Sequence, residues 1–267
     1  MLKTEMRNER STYIDRMETI DMLRLMNDEN RRSVDAVEQA LEQVAKAVDV
    51  VADALNRGKK LVYIGAGTSG RIAIQDAAEC PPTFGVSPET VRAIMAGGKE
   101  MVFRAGENAE DGYENGIADT KAVLEPGDVL MGISAAGGAK YVLGSLDYAK
   151  SLGCTTIALS NNEGSPILMS CDIPILCDTG AEVITGSTRL KAGNSQKFVL
   201  NMISTGAMIK TGKVYENLMV NMNPCNVKLR GRAIRIVEQI LHCGEDQAKQ
   251  LLEENEWNIR QAVESAK

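Results

Sequence analysis

Five short apolar runs, at 61–64, 91–95, 129–133, 155–159 and 173–176, constrain this chain more than any other feature of its sequence. Each reads as a buried strand, and segments of helical periodicity at 70–79, 109–124 and 139–152 separate most of them. Strands that alternate with helices build parallel βαβ units, because a parallel neighbour is reached only by a crossover over one face of the sheet. The expectation is an α/β fold with a parallel five-stranded sheet flanked by helices on both faces. In a flavodoxin-like strand order, 2-1-3-4-5, the loops after the first and third strands flank the topological switch point. That crevice is where open α/β sheets bind ligands.

The rest of the chain reads as helical. Met22, Leu25, Met26, Val34, Val37, Leu41, Val44 and Val48 recur at helical spacing and predict a helix over 17–57, ended by Gly58. A longer pattern covers about 189–212, and 228–241 reads as a basic amphipathic helix. Residues 245–266 read as two short helices broken near Asn255, with Trp257 as their anchor. The chain therefore divides into an N-terminal helical arm at 1–57, a ligand-binding sheet domain at 58–227 and a small C-terminal helical unit at 228–267. The last pattern resembles ubiquitin-associated three-helix modules, although a packing appendage is the simpler account.

Composition narrows the chemistry. A formal charge of −6 leaves no basic footprint for nucleic acid. No stretch approaches the roughly 20 consecutive apolar residues of a membrane span, and the charged start MLKTEMRNERSTYID lacks the apolar core of a secretory signal. A cytoplasmic protein is expected. His242 is the only histidine, which removes a Ser–His–Asp triad and any multi-histidine metal site. Cys80, Cys154, Cys171, Cys177, Cys225 and Cys243 form no CxxC pair. Acid–base chemistry must come from carboxylates, Lys, Tyr or Cys.

Three loops carry the binding signals. Gly65-Ala66-Gly67-Thr68-Ser69-Gly70 follows the first strand and opens a helix. Glycine lets the backbone approach a ligand closely, and a helix N-terminus offers free N–H groups to an anion. The loop lacks the Lys-Ser/Thr pair of a P-loop, so Thr68 and Ser69 point to a phosphate held without magnesium. A tight turn with an N-cap would look the same. The loop Ser134-Ala135-Ala136-Gly137-Gly138-Ala139 follows the third strand and should meet the first loop over one pocket. In the third segment, 185–193, Ser187 and Thr188 precede a helical pattern together with Arg189 and Lys191.

Two carboxylates stand out by position. Glu79 falls at the end of an apolar helical pattern, before the helix-stopping Pro81-Pro82, where the macrodipole disfavours an acid. Glu110 and Asp111 begin the helix after the second strand, where acids are favoured for structural reasons alone. Composition does not separate Glu110 from Glu107 or Glu114.

The run GAGTSGRIAIQDAAECPPTFG closely resembles the signature of the N-acetylmuramic acid 6-phosphate etherases, which belong to the sugar isomerase (SIS) fold group and are related to the glucokinase regulatory protein. The likeness extends to Thr4-Glu5-Met6-Arg7-Asn8, Ala109-Glu110-Asp111, TGSTRLKAG at 185–193 and Gly212-Lys213-Val214-Tyr215. It implies a SIS-type sheet and removal of D-lactate from C3 of the sugar to give N-acetylglucosamine 6-phosphate. It also implies Glu79 as the acid and Glu110 as the base, and the loops themselves offer Gly67, Thr68, Ser69, Ser134, Ser187 and Thr188 as candidate sugar-phosphate ligands. Neither a metal nor an organic cofactor is implied.

One stretch departs from the family. Where the second loop usually reads Ala-Ala-Ser-Gly-Arg-Thr-Pro, this chain has Ala136, Gly138 and Ala139 in place of the Ser, Arg and Thr. Each lost hydrogen bond to a charged group is worth about 1.5–3 kcal/mol. Two readings follow: an active etherase, or a SIS-type regulator that binds a sugar phosphate without turnover. A homodimer with a shared active site is also expected. Ten helical residues put Ser69 and Glu79 about 15 Å apart, against roughly 6–8 Å from a sugar's 6-phosphate to C3.

Overall fold

A computed structural model describes residues 1–106 and 108–266. After three single 3-10 turns within 3–16, the chain forms α1 (Thr19–Glu38) and α2 (Leu41–Asn56) and enters the sheet through β1 (Leu61–Gly65). Then follow α3 (Gly67–Phe84), β2 (Val91–Met95), α4 (Tyr113–Lys121), β3 (Val129–Ile133), α5 (Lys140–Ser151) and β4 (Thr155–Ser160). The short α6 (Pro166–Met169) leads to β5 (Ile173–Leu176), and α7 (Lys191–Lys210) returns across the sheet. The chain ends in α8 (Val227–Leu241), α9 (Glu245–Glu254) and α10 (Ile259–Ser265).

All four pairings are parallel and the order is β2-β1-β3-β4-β5, the flavodoxin-like order expected from the sequence. Every residue of β1 and β3 is buried, as expected of strands covered on both faces. The edge strand β5 carries an exposed Pro174, tolerable there because an edge strand can lack one ladder donor. With few aromatics, the core is aliphatic. Val44, Ala47 and Val51 of α2 and Val199, Leu200 and Ile203 of α7 pack with Tyr63, Met131, Ile157 and Leu159 on one face. Val142 and Leu146 of α5 cover Val62, Ile64 and Leu130 on the other. Each such aliphatic side chain contributes about 1.5–3 kcal/mol on burial. A third cluster joins Val220 and Met222 to Ala233, Val237, Leu252 and Ile259 of the C-terminal helices.

Three local expectations are corrected. The segment 17–57 forms two helices, because the chain turns at Gln39–Ala40 before α2 settles against the sheet. Pro81 and Pro82 do not stop α3, which runs on to Phe84. Buried Cys80 and Phe84 anchor the last turn, and Gly85, at φ +61°, closes it with its N–H on the Pro81 carbonyl at 2.9 Å. Only a residue without Cβ fits at Gly85, since a Cβ would stand 1.8 Å from the Asn221 carbonyl oxygen. Glu79 thus lies within α3 and not at its end. Finally, Glu110 sits in a separate 3-10 turn, Ala109–Asp111, ahead of α4. Glu107, which composition left level with Glu110, lies outside the described residues.

Candidate active site

The carboxyl end of the sheet gathers the three sequence loops. Gly65 closes β1 and α3 begins two residues later. Strand and helix approach so closely that a Cβ on Gly70 would stand 2.8 Å from the Gly65 carbonyl oxygen. The first turn of α3 leaves the N–H groups of Gly67, Thr68 and Ser69 without intrahelical partners, the arrangement by which helix N-termini can accept an anion.

A buried polar chain ties this turn to the other loops. Ser69 Oγ donates to Gln196 Oε1 at 2.9 Å, and Gln196 Nε2 donates to Asn161 Oδ1 at 3.0 Å. The Asn161 amide reaches Ser195 Oγ, and its backbone N–H bonds the Ala135 carbonyl at 3.1 Å. Asn162 Nδ2 bridges the Ala135 carbonyl and Thr4 Oγ1, both at 2.9 Å, and the Thr4 carbonyl in turn accepts from Gly186 N–H. Loops after β1, β3 and β5 and the N-terminal arm are therefore one hydrogen-bonded assembly. Asn161, Asn162 and Gln196 escape sequence reasoning, although two asparagines just after the apolar run 155–159 are a visible signal.

A cleft of about 400 Å³ opens between the ends of β1 and β2, lined by Gly67, Arg71, Met95, Met101, Asn108 and Glu110 among others. It brings together Gly67 and Glu110 out of the sequence-derived candidates. Glu110 is exposed on its rim. Thr68 is half-buried and faces α7, where a Cβ on Gly193 would meet its Cγ2 at 3.4 Å. The Ser69 hydroxyl is buried with its single proton on Gln196, which leaves its backbone N–H for a ligand. Ser134 is buried and accepts from Gly137 N–H at 3.1 Å, so its own proton remains to donate. Ser187 and Thr188 are half-buried, and their hydroxyls make no hydrogen bond among the described residues. Glu79 is exposed on α3, outside the cleft.

Lys191 proves to be structural. Its ammonium is buried against Glu29 and the Ala181 carbonyl, and Arg189 is exposed. Glu182 caps α7 by accepting from the N–H groups of Lys191 (3.1 Å) and Ala192 (2.9 Å), and burial holds its carboxyl above the ordinary range. The thiols are poor acid–base candidates where they are buried. Burial pushes Cys80 and Cys177 up to about 12. Among the described residues, no three His, Cys, Asp or Glu side chains cluster as metal ligands, and no helix is long and apolar enough to cross a membrane.

Two family models match the chain. The N-terminal SIS domain of the glucokinase regulatory protein matches residues 43–150, and the SIS domain matches residues 98–206. The N-acetylmuramic acid 6-phosphate etherase of Symbiobacterium thermophilum is 48% identical over 262 residues, which span 98% of this chain and 87% of that one. This chain belongs to the N-acetylmuramic acid 6-phosphate etherase family. The etherase of Cronobacter sakazakii is equally similar, 48% identical over 98% of this chain and 89% of its own. The SIS fold extends to more distant structures. A protein of Escherichia coli CFT073, solved in complex with a ligand, superposes with a TM-score of 0.54 at 19% identity, over 75% of this chain and 97% of that one. A phosphoheptose isomerase from Francisella tularensis gives 0.51 at 17%, over 73% and 99%. In the second loop, open space surrounds Gly138 and Ala136 is half-buried, so neither position offers a side-chain donor.

Proposed function

We propose that the chain cleaves the D-lactyl ether of N-acetylmuramic acid 6-phosphate, acting as a carbon–oxygen lyase in amino-sugar recycling. The observation that carries this reading is 48% identity to etherases along 98% of the chain. The cleft supports it by setting a free carboxylate, Glu110, across from the phosphate-accepting turn at Gly67.

The chemistry runs on the open-chain sugar, whose C1 aldehyde acidifies the C2 proton. Glu110 removes that proton, the C3–O bond breaks, and Glu79 protonates the departing lactate oxygen. Water then adds to the unsaturated aldehyde at C3 and C2 regains a proton. One carboxylate must be ionised and the other protonated, a division that burial on substrate binding favours. The 6-phosphate sits on the N–H groups of Gly67, Thr68 and Ser69 with the hydroxyls of Ser134, Ser187 and Thr188. Glu79 stands about 15 Å along α3 from this turn, so the second subunit of a homodimer supplies it. The test is direct: purified protein given N-acetylmuramic acid 6-phosphate should release lactate and N-acetylglucosamine 6-phosphate in equal amounts. Binding without lactate release would leave a sugar-phosphate sensor instead.

A further inference from the structure

The segment between β2 and α4 carries Glu110, yet little apolar burial holds it down. Phe103 is 86% exposed, and Arg104, Ala105, Gly106 and Asn108 are exposed as well. Beyond Ala96, whose N–H bonds the Gly65 carbonyl at 3.0 Å, the backbone hydrogen bonds of its described residues are short-range, such as Met101 N–H to Gly98 O and Asp111 N–H to Asn108 O. Ala109 touches the core, and Met101 folds back against Gly97 and Gly106 of the same segment. Among the described residues, one side chain from outside the segment hydrogen-bonds to it. Arg71, on the second turn of α3, donates from Nε to the Val102 carbonyl at 2.9 Å and from Nη2 to the carbonyls of Met101 and Arg104, both at 2.8 Å.

We infer that Arg71 is a positioning residue, a clamp that fixes residues 99–106 and, with them, Glu110 over the cleft. This inference rests on the etherase reading. A guanidinium suits the task because its planar fork holds several acceptors in fixed directions while remaining charged at every working pH. Arg71 is also one helical turn beyond Gly67, so the phosphate-accepting turn and the base-bearing segment hang on the same rigid helix. The distance between a sugar's phosphate and its C2 proton is thereby matched by a distance the protein holds constant. Lysine would keep the charge, but its single ammonium cannot reproduce three directed bonds to one loop. The clamp role therefore differs in its consequences from simple anion attraction.

Arg71→Ala and Arg71→Lys, read by steady-state kinetics and by amide hydrogen exchange, test the inference. Displacing a catalytic group by about 1 Å can cost on the order of 100-fold in rate, so Arg71→Ala should lower kcat by roughly that factor. KM should change only a few-fold, and Arg71→Lys should not rescue kcat. Exchange should quicken at 99–111 while the amides of β1 and β3 keep wild-type protection, which also shows that the variants fold. Unchanged protection at 99–111 would overturn the clamp even if the wild-type protein proved to lack etherase activity. A rise in KM alone, or full rescue by lysine, would make Arg71 a substrate-anion ligand and overturn it too.

Discussion

The Lys191 ammonium lies 2.5 Å from the Glu29 carboxylate, with the two side chains 1% and 0% exposed and 162 residues apart in sequence. This pair joins α1 to the start of α7, and Asn8 and Arg10 of the N-terminal arm complete its hydrogen bonding. It therefore holds the arm and the 185–190 loop in register at the edge of the site. Glu29→Gln should destabilise the fold by about 3–5 kcal/mol, because it leaves Lys191 buried without its counter-charge. Replacing both residues with Met should recover most of that loss. Urea unfolding of the two variants measures this, and equal losses in both would contradict it.

The same pair predicts a pH dependence. Burial pushes the Glu29 carboxyl up. The hydrogen bond and charge of Lys191, with Asn8 and Arg32, outweigh it and leave the carboxyl below its ordinary value of 4.5. A carboxyl depressed on folding contributes stability that is present above its unfolded pKa and is lost as pH falls through the folded one. The stability gap between wild type and Glu29→Gln should thus be widest near neutrality and narrow below pH 4.5. A gap independent of pH would show that Glu29 does not change its charge in that window.

Glu79 and Glu110 should fail in different ways. Glu110→Gln should abolish both deuterium exchange at C2 and lactate release, since proton removal comes first. Glu79→Gln should retain more exchange than elimination, because the proposed acid acts on the leaving oxygen. Nuclear magnetic resonance of the sugar in deuterated water separates the two. Equal, modest effects would reverse or dissolve these roles.

The division of the site between subunits is open to complementation. If Glu79 serves the neighbouring chain, mixed dimers of Glu79→Gln and Glu110→Gln contain one intact site. Random pairing in a two-fold dimer would return up to about one quarter of wild-type activity. Mixtures that stay inactive, or a fully active monomer, would place both carboxylates in one chain.

The altered second loop makes its own prediction. Ala136 is half-buried and Ala139 is the N-cap of α5 without a capping side chain. Ala136→Ser should tighten N-acetylglucosamine 6-phosphate by up to roughly 10-fold, or about 1.4 kcal/mol. Ala139→Thr should add a helix cap worth about 1 kcal/mol. Calorimetry that found weaker binding would mean the loop serves another ligand group.

Much of this molecule was legible in its sequence because the signals are local. Apolar runs of four or five residues located all five strands to within one residue, and their alternation with helices pointed to a parallel sheet. The misreadings are non-local. Nothing near Lys191 announces Glu29, and Pro81-Pro82 stop a helix only where tertiary contacts fail to hold the next turn, which Phe84 and Gly85 do here. Nothing near Arg71 announces its partners, which are backbone carbonyls about 30 residues away. Of the site, the sequence pointed to Gly67 and Glu110, which share the cleft, whereas the loop after β3 joins the first loop through buried hydrogen bonds and does not line it. The sequence could not reveal that Ser69 would spend its proton on Gln196.

The central claim, elimination followed by hydration, is tested most directly by running the reaction in heavy-oxygen-labelled water. Breaking the C3–O bond lets lactate leave with the original ether oxygen, and the oxygen newly attached at C3 comes from solvent. Mass spectrometry should therefore find the label in N-acetylglucosamine 6-phosphate and none in the hydroxyl of lactate. Label in the lactate hydroxyl, or no lactate at all, would contradict the account.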